Sequence, residues 1–268
     1  MLLSEVAFVG GSSRLASVAV RCVDIATALG VNYWLDVNAT DQIPDRYRAF
    51  VCVKAALSEK ELERLAHRGH VVWDIIDFPP PPSPAIGTYL CSTRAARDFF
   101  RHLRPMEVIP HHHCNFAAVP GFPSHRAPGW VGHVYWRPAL PGLIFSAHHV
   151  TGWRRERVEA VYRTIGIGLN FRARRPGYEY HVLINSGVKL INSIGFGLPS
   201  ISSPEAAYRE IDQGCTDFAT EQDAARSYGR LVKDQQRYFE LRQACLAQAD
   251  RFHIHAITEH YRAFLHAL

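Results

Sequence analysis

The stretch His181 to Glu210, HVLINSGVKLINSIGFGLPSISSPEAAYRE, constrains the fold more than any other part of the chain. A short apolar run, His181 to Ile184, ends on Asn185-Ser186-Gly187 and predicts a strand followed by a turn. Apolar residues then recur at Val188, Leu190, Ile191 and Ile194, the spacing of one helix face, and Gly195 and Gly197 predict its end. Leu198 to Ile201 returns to an extended run, and Ser203-Pro204-Glu205 opens another helix with proline at its first position. Strand, helix and strand in so short a span leave room for one parallel crossover, which predicts an α/β chain.

The same stretch predicts anion binding. The helix that starts at Gly187 offers unpaired N–H groups and the positive end of a dipole, and Asn185 and Ser186 are residue types that cap such an end. Lys189 falls in the first turn, where its ammonium can reach an anion seated on the helix end; a diphosphate fits. Glu205, or Asn192 about one turn beyond Lys189, is placed to take a ribose or sugar hydroxyl. The alternative is a solvated lysine and ordinary caps in a purely structural crossover.

The string Lys189-Leu190-Ile191-Asn192, then Gly197-Leu198-Pro199-Ser200-Ile201 and Glu205, resembles the donor-binding segment of two-Rossmann-domain (GT-B) glycosyltransferases of the family 4, group 1 type. Those enzymes often read K-L-x-E-A, a short gap, then G-x-P-V-I and a further acidic residue. The resemblance implies that Lys189 contacts the donor phosphates. Asn192 stands where the motif has a ribose-binding Glu, so a bidentate carboxylate clamp is lost while hydrogen bonding is kept. It further implies two Rossmann-like domains facing a central cleft, with C-terminal helices packing back on the first. The implied activity is transfer of a sugar from a nucleotide-sugar donor to a glycan, lipid-linked glycan or protein acceptor, as in glycan biosynthesis. No metal and no cofactor is implied beyond the nucleotide sugar as substrate, since Lys189, Arg137 and helix-end amides would meet the phosphate charge.

The rest of the chain is compatible with this expectation. At 268 residues it can hold one large or two small domains. No run approaches the roughly 18 apolar residues of a membrane span, and MLLSEVAFVGG, with Glu5, does not read as a signal peptide. Six scattered cysteines without CxxC or metal spacing predict reduced thiols in a cytoplasmic protein, with peripheral membrane contact allowed. A net charge of +5, with 15 histidines left out of the count, favours anionic ligands but lacks the dense basic patterning of nucleic-acid binders.

In the N-terminal half, Val6 to Val9 runs into Gly10-Gly11-Ser12-Ser13 and then a helical pattern closed by Gly30, the first βα unit of a Rossmann-like sheet. Gly11 and Ser12 can let a ligand approach the backbone; a plain tight turn is the alternative. Further strands are expected at Tyr33 to Val37, Phe50 to Val53, Val71 to Ile76, Thr88 to Cys91 and Glu107 to Ile109. Ser58 with Glu61 predicts a capping box, and Ser92-Thr93 a cap for a helix running to Leu103. Asp77 follows a strand end, where α/β ligand sites lie, and either it or Asp74 can act as a general base or simply hydrogen-bond. His111-His112-His113 cannot all face one metal from an extended chain, because side chains alternate. His112 and His113 join Asp77 as candidate catalytic residues on the acceptor side, with linker residues as the alternative.

Pro120, Gly121, Pro123, Pro128 and Gly129 predict a domain boundary: residues 1–122 as the acceptor domain and 123–268 as the donor domain. Trp130 to Tyr135 predicts the first strand of the second sheet, and Arg137 just beyond it can meet a phosphate bidentately. Helices are expected from Arg154, Thr220, Asp234 and Phe252, the last with a Phe252, Ile257, Tyr261, Leu265 stripe suited to docking on the first domain. Two other readings remain: a nucleotide-sugar 2-epimerase on the same architecture, and a non-catalytic partner subunit that keeps the fold.

Overall fold

The computed structural model describes every residue except 38–39, 104, 122–124, 150–153 and 179. Its strands form two parallel sheets. The first contains β1 (Val6–Gly10), β2 (Asn32–Trp34), β3 (Ala49–Val53), β4 (His70–Asp74), β5 (Thr88–Cys91) and β6 (Met106–Val108) in the order β2-β1-β3-β4-β5-β6. The second contains β7 (Pro128–Gly132), β8 (Ser146–His149), β9 (Ile167–Asn170), β10 (Ser200–Ser202) and β11 (Thr216–Phe218) in the order β11-β10-β9-β7-β8. In each sheet the order reverses beside the first strand, at β1/β3 and at β7/β9. Ligands of open α/β sheets bind outside the carboxyl ends of the strands at that switch point.

Two compact units result. One comprises Met1–His111, Ile184–Ser186 and Ile254–Leu268; the other comprises His112–Leu183 and Gly187–His253. The boundary expected between residues 122 and 123 lies outside the described residues.

In the first unit β1 and β3 are buried along their whole length, as VAFVG and AFVCV predict for strands covered on both faces. Buried at its centre is an ion pair: Arg21 Nε donates to Asp74 Oδ2 at 2.7 Å and Arg21 Nη2 to Asp74 Oδ1 at 3.0 Å. Arg21 also donates to the carbonyls of Ile109 and Pro110, and Tyr261 Oη donates to Asp74 at 3.2 Å. Burial works against the guanidinium charge, but the Asp74 carboxylate outweighs it and the pKa of Arg21 is raised. Asp74 is therefore a structural residue and not a general base. Tyr261 belongs to the last helix, Ile254–Ala267, the one C-terminal helix assigned to this unit; Gln235–Gln248 instead packs on Val188–Gly195 in the second unit. Of the expected stripe, Ile257, Tyr261 and Leu265 are buried in the first unit and Phe252 in the second.

The second unit corrects the reading of 181–184. Residues Tyr180–Leu183 form a short helix, not a strand. The crossover uses β9 instead, which already pairs with β7 on one side and β10 on the other, so the sheet has no place beside it for another strand. The crossover helix, Val188–Gly195, ends as expected, with Gly197 N bonded to Ile194 O and Leu198 N to Ser193 O. Its N-cap is Gly187, with no side-chain cap bond, so the capping position falls on neither Asn185 nor Ser186. Gly187 has φ 68°, and a Cβ there would lie 2.0 Å from Ile211 Cδ1. Gly187→Ala is expected to cost about 2–4 kcal/mol through left-handed strain and overpacking, read as a fall in the urea midpoint with unchanged slope. The next helix, Ala206–Ile211, starts after Glu205 as its N-cap, two residues later than Pro204 suggested.

Elsewhere local signals hold with small shifts. Ser58 Oγ accepts from Glu61 N, but the Glu61 carboxylate turns to Thr40 rather than completing a capping box. Thr93 caps a helix that stops at Phe99. Six free cysteines are buried. Among the described residues no helix is long and apolar enough to cross a membrane.

Candidate functional site

The switch point of the second sheet is built around Lys189. The helix Val188–Gly195 runs back from β9 to β10, and its second residue throws the Lys189 side chain across the end of β7. There Nζ donates a hydrogen bond to Val131 O and lies 4.5 Å from the centroid of the Trp130 ring. Trp130 is itself fixed by its Nε1–H to Phe171 O at 2.9 Å. Gly132 makes the room: a Cβ there would stand 2.6 Å from Lys189 Nζ and 2.7 Å from the indole. Lys189 is thus buried, and is not the solvated lysine of the alternative reading.

Burial, together with the positive charge of Arg172, lowers the Lys189 pKa to about 7, while Glu205 acts in the opposite direction. Three charged groups therefore gather at the carboxyl ends of β7, β9 and β10. Arg172, half-buried just past β9, lies 5.9 Å from the Trp136 ring. Glu205, buried just past β10, accepts from Ser203 Oγ at 2.6 Å. Arg172 comes to this edge because the end of β9 lies next to the end of β7, which no sequence spacing reveals. Arg137, exposed beyond β7, lies over the Phe145 ring at 5.6 Å. Around it Tyr135, Trp136, Tyr178 and His181 form a chain of ring contacts, with Arg175 3.8 Å from the Tyr135 ring.

Other expected site residues have different settings. Asn192 is buried and its Oδ1 accepts from Cys114 N at 2.9 Å, while Tyr162 hydrogen-bonds the same side chain. It ties a loop to the helix instead of presenting a free amide to a sugar. Asn185 and Ser186 are buried and group with the first unit. His112 and His113 are also buried. His112 Nδ1 lies 3.0 Å from His113 O, and its ring contacts Phe116 edge-on. His113 Nε2 bonds to Ala249 O at 3.1 Å and its ring packs where a Cβ on Gly195 would stand. Burial, reinforced by His253, pushes the His113 pKa down to about 4, so the ring is neutral and held by packing.

In the first unit the switch-point edge carries Gly11, Ser12 and Asp77, together with Lys54, which sequence reading passed over. Gly11 N donates to Val53 O at 3.0 Å, and a Cβ on Gly11 would lie 2.1 Å from Lys54 O. Ser12 is half-buried and its Oγ accepts from Arg14 N at 3.4 Å. Asp77 Oδ2 accepts from Lys54 Nζ at 2.6 Å. Lys54 has φ 49° and Asp77 φ 61°, left-handed values that no sequence pattern around either residue announces.

No protein-family model matches the chain, and no curated protein matches it. Solved structures do. Alr3699/HepE of Anabaena, crystallised with UDP and glucose, superposes with a TM-score of 0.67 at 11% identity, covering 99% of this chain and 100% of that one. AviGT4, a glycosyltransferase involved in avilamycin A biosynthesis, matches with a TM-score of 0.53 at 13% identity over 96% of each chain. A putative UDP-N-acetylglucosamine 2-epimerase of Listeria monocytogenes matches at 0.51 and 7% identity, covering 98% of this chain and 96% of that one. At these identities what is shared is the fold: the chain has the GT-B fold of nucleotide-sugar glycosyltransferases.

Proposed function

We propose that the chain transfers a sugar from a nucleotide-sugar donor, with a uridine diphosphate carrier, to an acceptor hydroxyl. The observation that carries this reading is the buried Lys189 beside Arg172 at the carboxyl edge of the second sheet. Lys189 and Arg172 are the basic side chains of that edge and Glu205 lies beside them, a grouping suited to holding a diphosphate and a neighbouring hydroxyl. The full-length likeness to a fold crystallised with UDP and glucose points the same way. In this reading Lys189, Arg172 and the exposed Arg137 meet the phosphates, Glu205 takes a ribose or sugar hydroxyl, and the helix-end amides after Asn185 and Ser186 add donors. Gly11, Ser12 and Asp77 of the first unit serve the acceptor side. A thermal-shift series with UDP, GDP, ADP, dTDP and CMP tests it; UDP is expected to raise Tm and the others to do so less. No shift with any nucleotide would sink the reading.

Protonation gives a second test. Free Lys189 titrates near 7, and a diphosphate alongside raises that value, so binding above pH 7 takes up a proton. UDP affinity is expected to fall by up to tenfold per pH unit between about pH 7 and 9, the limit for one linked proton. Calorimetry in buffers of different ionisation enthalpy reads the uptake directly; an affinity flat across that range would place the diphosphate away from Lys189.

The likeness to 2-epimerases supports a second reading on the same donor site. Incorporation of solvent deuterium into UDP-N-acetylglucosamine without an acceptor distinguishes the two: exchange supports the epimerase, and transfer without exchange the transferase.

A further inference from the structure

The second unit holds a group of arginines that the donor edge does not use. A cavity of about 390 Å³ opens beside the edge strand β11, lined by residues of the helices Ala206–Ile211 and Ala224–Lys233, with Pro204 just past β10 and Ala219 just past β11 in its wall. That volume is in the range of small-molecule sites. The cavity lies wholly within the second unit, at the carboxyl ends of β10 and β11, two strands along from the β7/β9 switch point that carries Lys189. Three arginines line it: Arg209 from the first helix, and Arg226 and Arg230 one turn apart on the second. Like charges at that helical spacing repel. Among the described residues the one carboxylate in the lining, Asp223, is already committed: Oδ1 lies 3.3 Å from Arg226 Nη1, and Oδ2 accepts from Thr220 Oγ1 at 2.8 Å. Arg230 Nη2 donates to Ser227 Oγ at 3.2 Å, and Arg209 lies 4.8 Å from the Phe218 ring centroid. Among the described residues neither of these two arginines is paired with a carboxylate.

We propose that this cavity is a second anion site, separate from the donor site, and that it takes a phosphate monoester of a small hydroxylated molecule. A monoester carries roughly −1.5 to −2 charges at pH 7, which is what Arg209 and Arg230 together balance. Each guanidinium is a planar fork that meets phosphate oxygens bidentately. The stack on Phe218 and the bond to Ser227 restrain the two forks before any ligand arrives. Among the described residues Phe218 is the one ring in the lining, and Arg209 already lies against it. A base would find no free stacking partner there, so the lining suits a small monoester better than a nucleotide. Inorganic phosphate offers the same anionic chemistry without the hydroxylated body.

Nitrogen-15 NMR of the full chain tests this, through the backbone amide signals of Ala206–Ile211 and Ala224–Lys233. Glycerol 3-phosphate and, separately, inorganic phosphate are titrated in at about pH 7, where the monoester is mostly dianionic. Both helices are expected to shift along saturating curves, in the parent and equally in Lys189→Met. Arg209→Gln and Arg230→Gln change exposed positions on different helices, so the fold should survive in each. Each should weaken binding by about three- to tenfold, less than a buried contact would lose because both side chains are exposed. The double variant should lose the response. Tighter binding of glycerol 3-phosphate supports an organic monoester as the ligand, while equal binding of the two probes supports the site with phosphate itself as its ligand. The assignment is overturned if neither helix responds to either probe, or if the double variant keeps the parent's midpoint. It is also overturned if the shifts disappear in Lys189→Met, since they would then report the donor edge. None of these readouts involves UDP, so failure of the transferase reading would leave this site standing.

Discussion

Lys189→Met is expected to weaken UDP binding by ten- to a hundredfold in a protein that remains folded. Methionine keeps the length and apolar stem that pack against Trp130 and drops only the amine that reaches Val131 O. The loss follows from one charge-assisted contact, roughly 1.5–3 kcal/mol, at about 1.4 kcal/mol per decade. The same substitution should change stability in the opposite direction. Lys189 has a folded pKa lowered to about 7 from 10.5, so between those values the unfolded chain binds the extra proton. The parent therefore carries the full cost of the buried group below pH 7 and sheds it as pH rises toward 10.5, at up to about 1.4 kcal/mol per unit. Lys189→Met should be more stable than the parent at pH 6, with the advantage shrinking by pH 9. Urea unfolding at the two pH values, beside calorimetric titration with UDP, measures both. Unchanged UDP affinity in the folded variant would mean that Lys189 is a core lysine only.

Arg21→Met is expected to be the most damaging single change to stability, about 3–5 kcal/mol, because it leaves the Asp74 carboxylate buried without its partner. Arg21 is fully buried, and its guanidinium holds β4 through Asp74 and the chain after β6 through the carbonyls of Ile109 and Pro110. Tyr261 from the last helix meets the same carboxylate, so one pair joins three parts of the first unit. Removing both charges, as in Arg21→Met with Asp74→Leu, should recover much of the loss, since apolar replacements of a buried pair are often neutral. Calorimetry of the single and double variants tests this; a single variant within about 1 kcal/mol of the parent would show that the pair adds little.

Part of the fold and of the site could be read from the residues. The α/β class followed from alternating apolar runs and helical spacings, and the ends of Val188–Gly195 and of the helix closed by Gly30 from left-handed glycines, Gly197 just beyond the cap of the first and Gly30 at the cap of the second. These are local matters: the spacing of apolar side chains and the freedom of a missing Cβ act within a few residues. Lys189 was legible for the same reason, as a cation in the first turn of a helix. The strand reading of 181–184 failed because a short apolar run fits a strand or a buried helix equally, and what decided it was the sheet, with β9 already paired on both sides.

What the tertiary structure alone decided is which distant residues meet and how wet they are. Asp74 and Asp77, near neighbours in one strand and its exit, are alike as letters. One is sealed against Arg21 from a helix, the other opens beside Lys54 from the next strand. Asn192 and His113 carry polar groups suited to a ligand, yet each is committed to the backbone of a segment far along the chain, Cys114 and Ala249. Arg172 gains its meaning only from the neighbouring ends of β7 and β9. The sequence by itself determined the local segments, the fold class and the helix-end cation. Burial, pKa and pairing were settled by packing, because each depends on the dielectric and the partners that long-range contacts bring to a side chain.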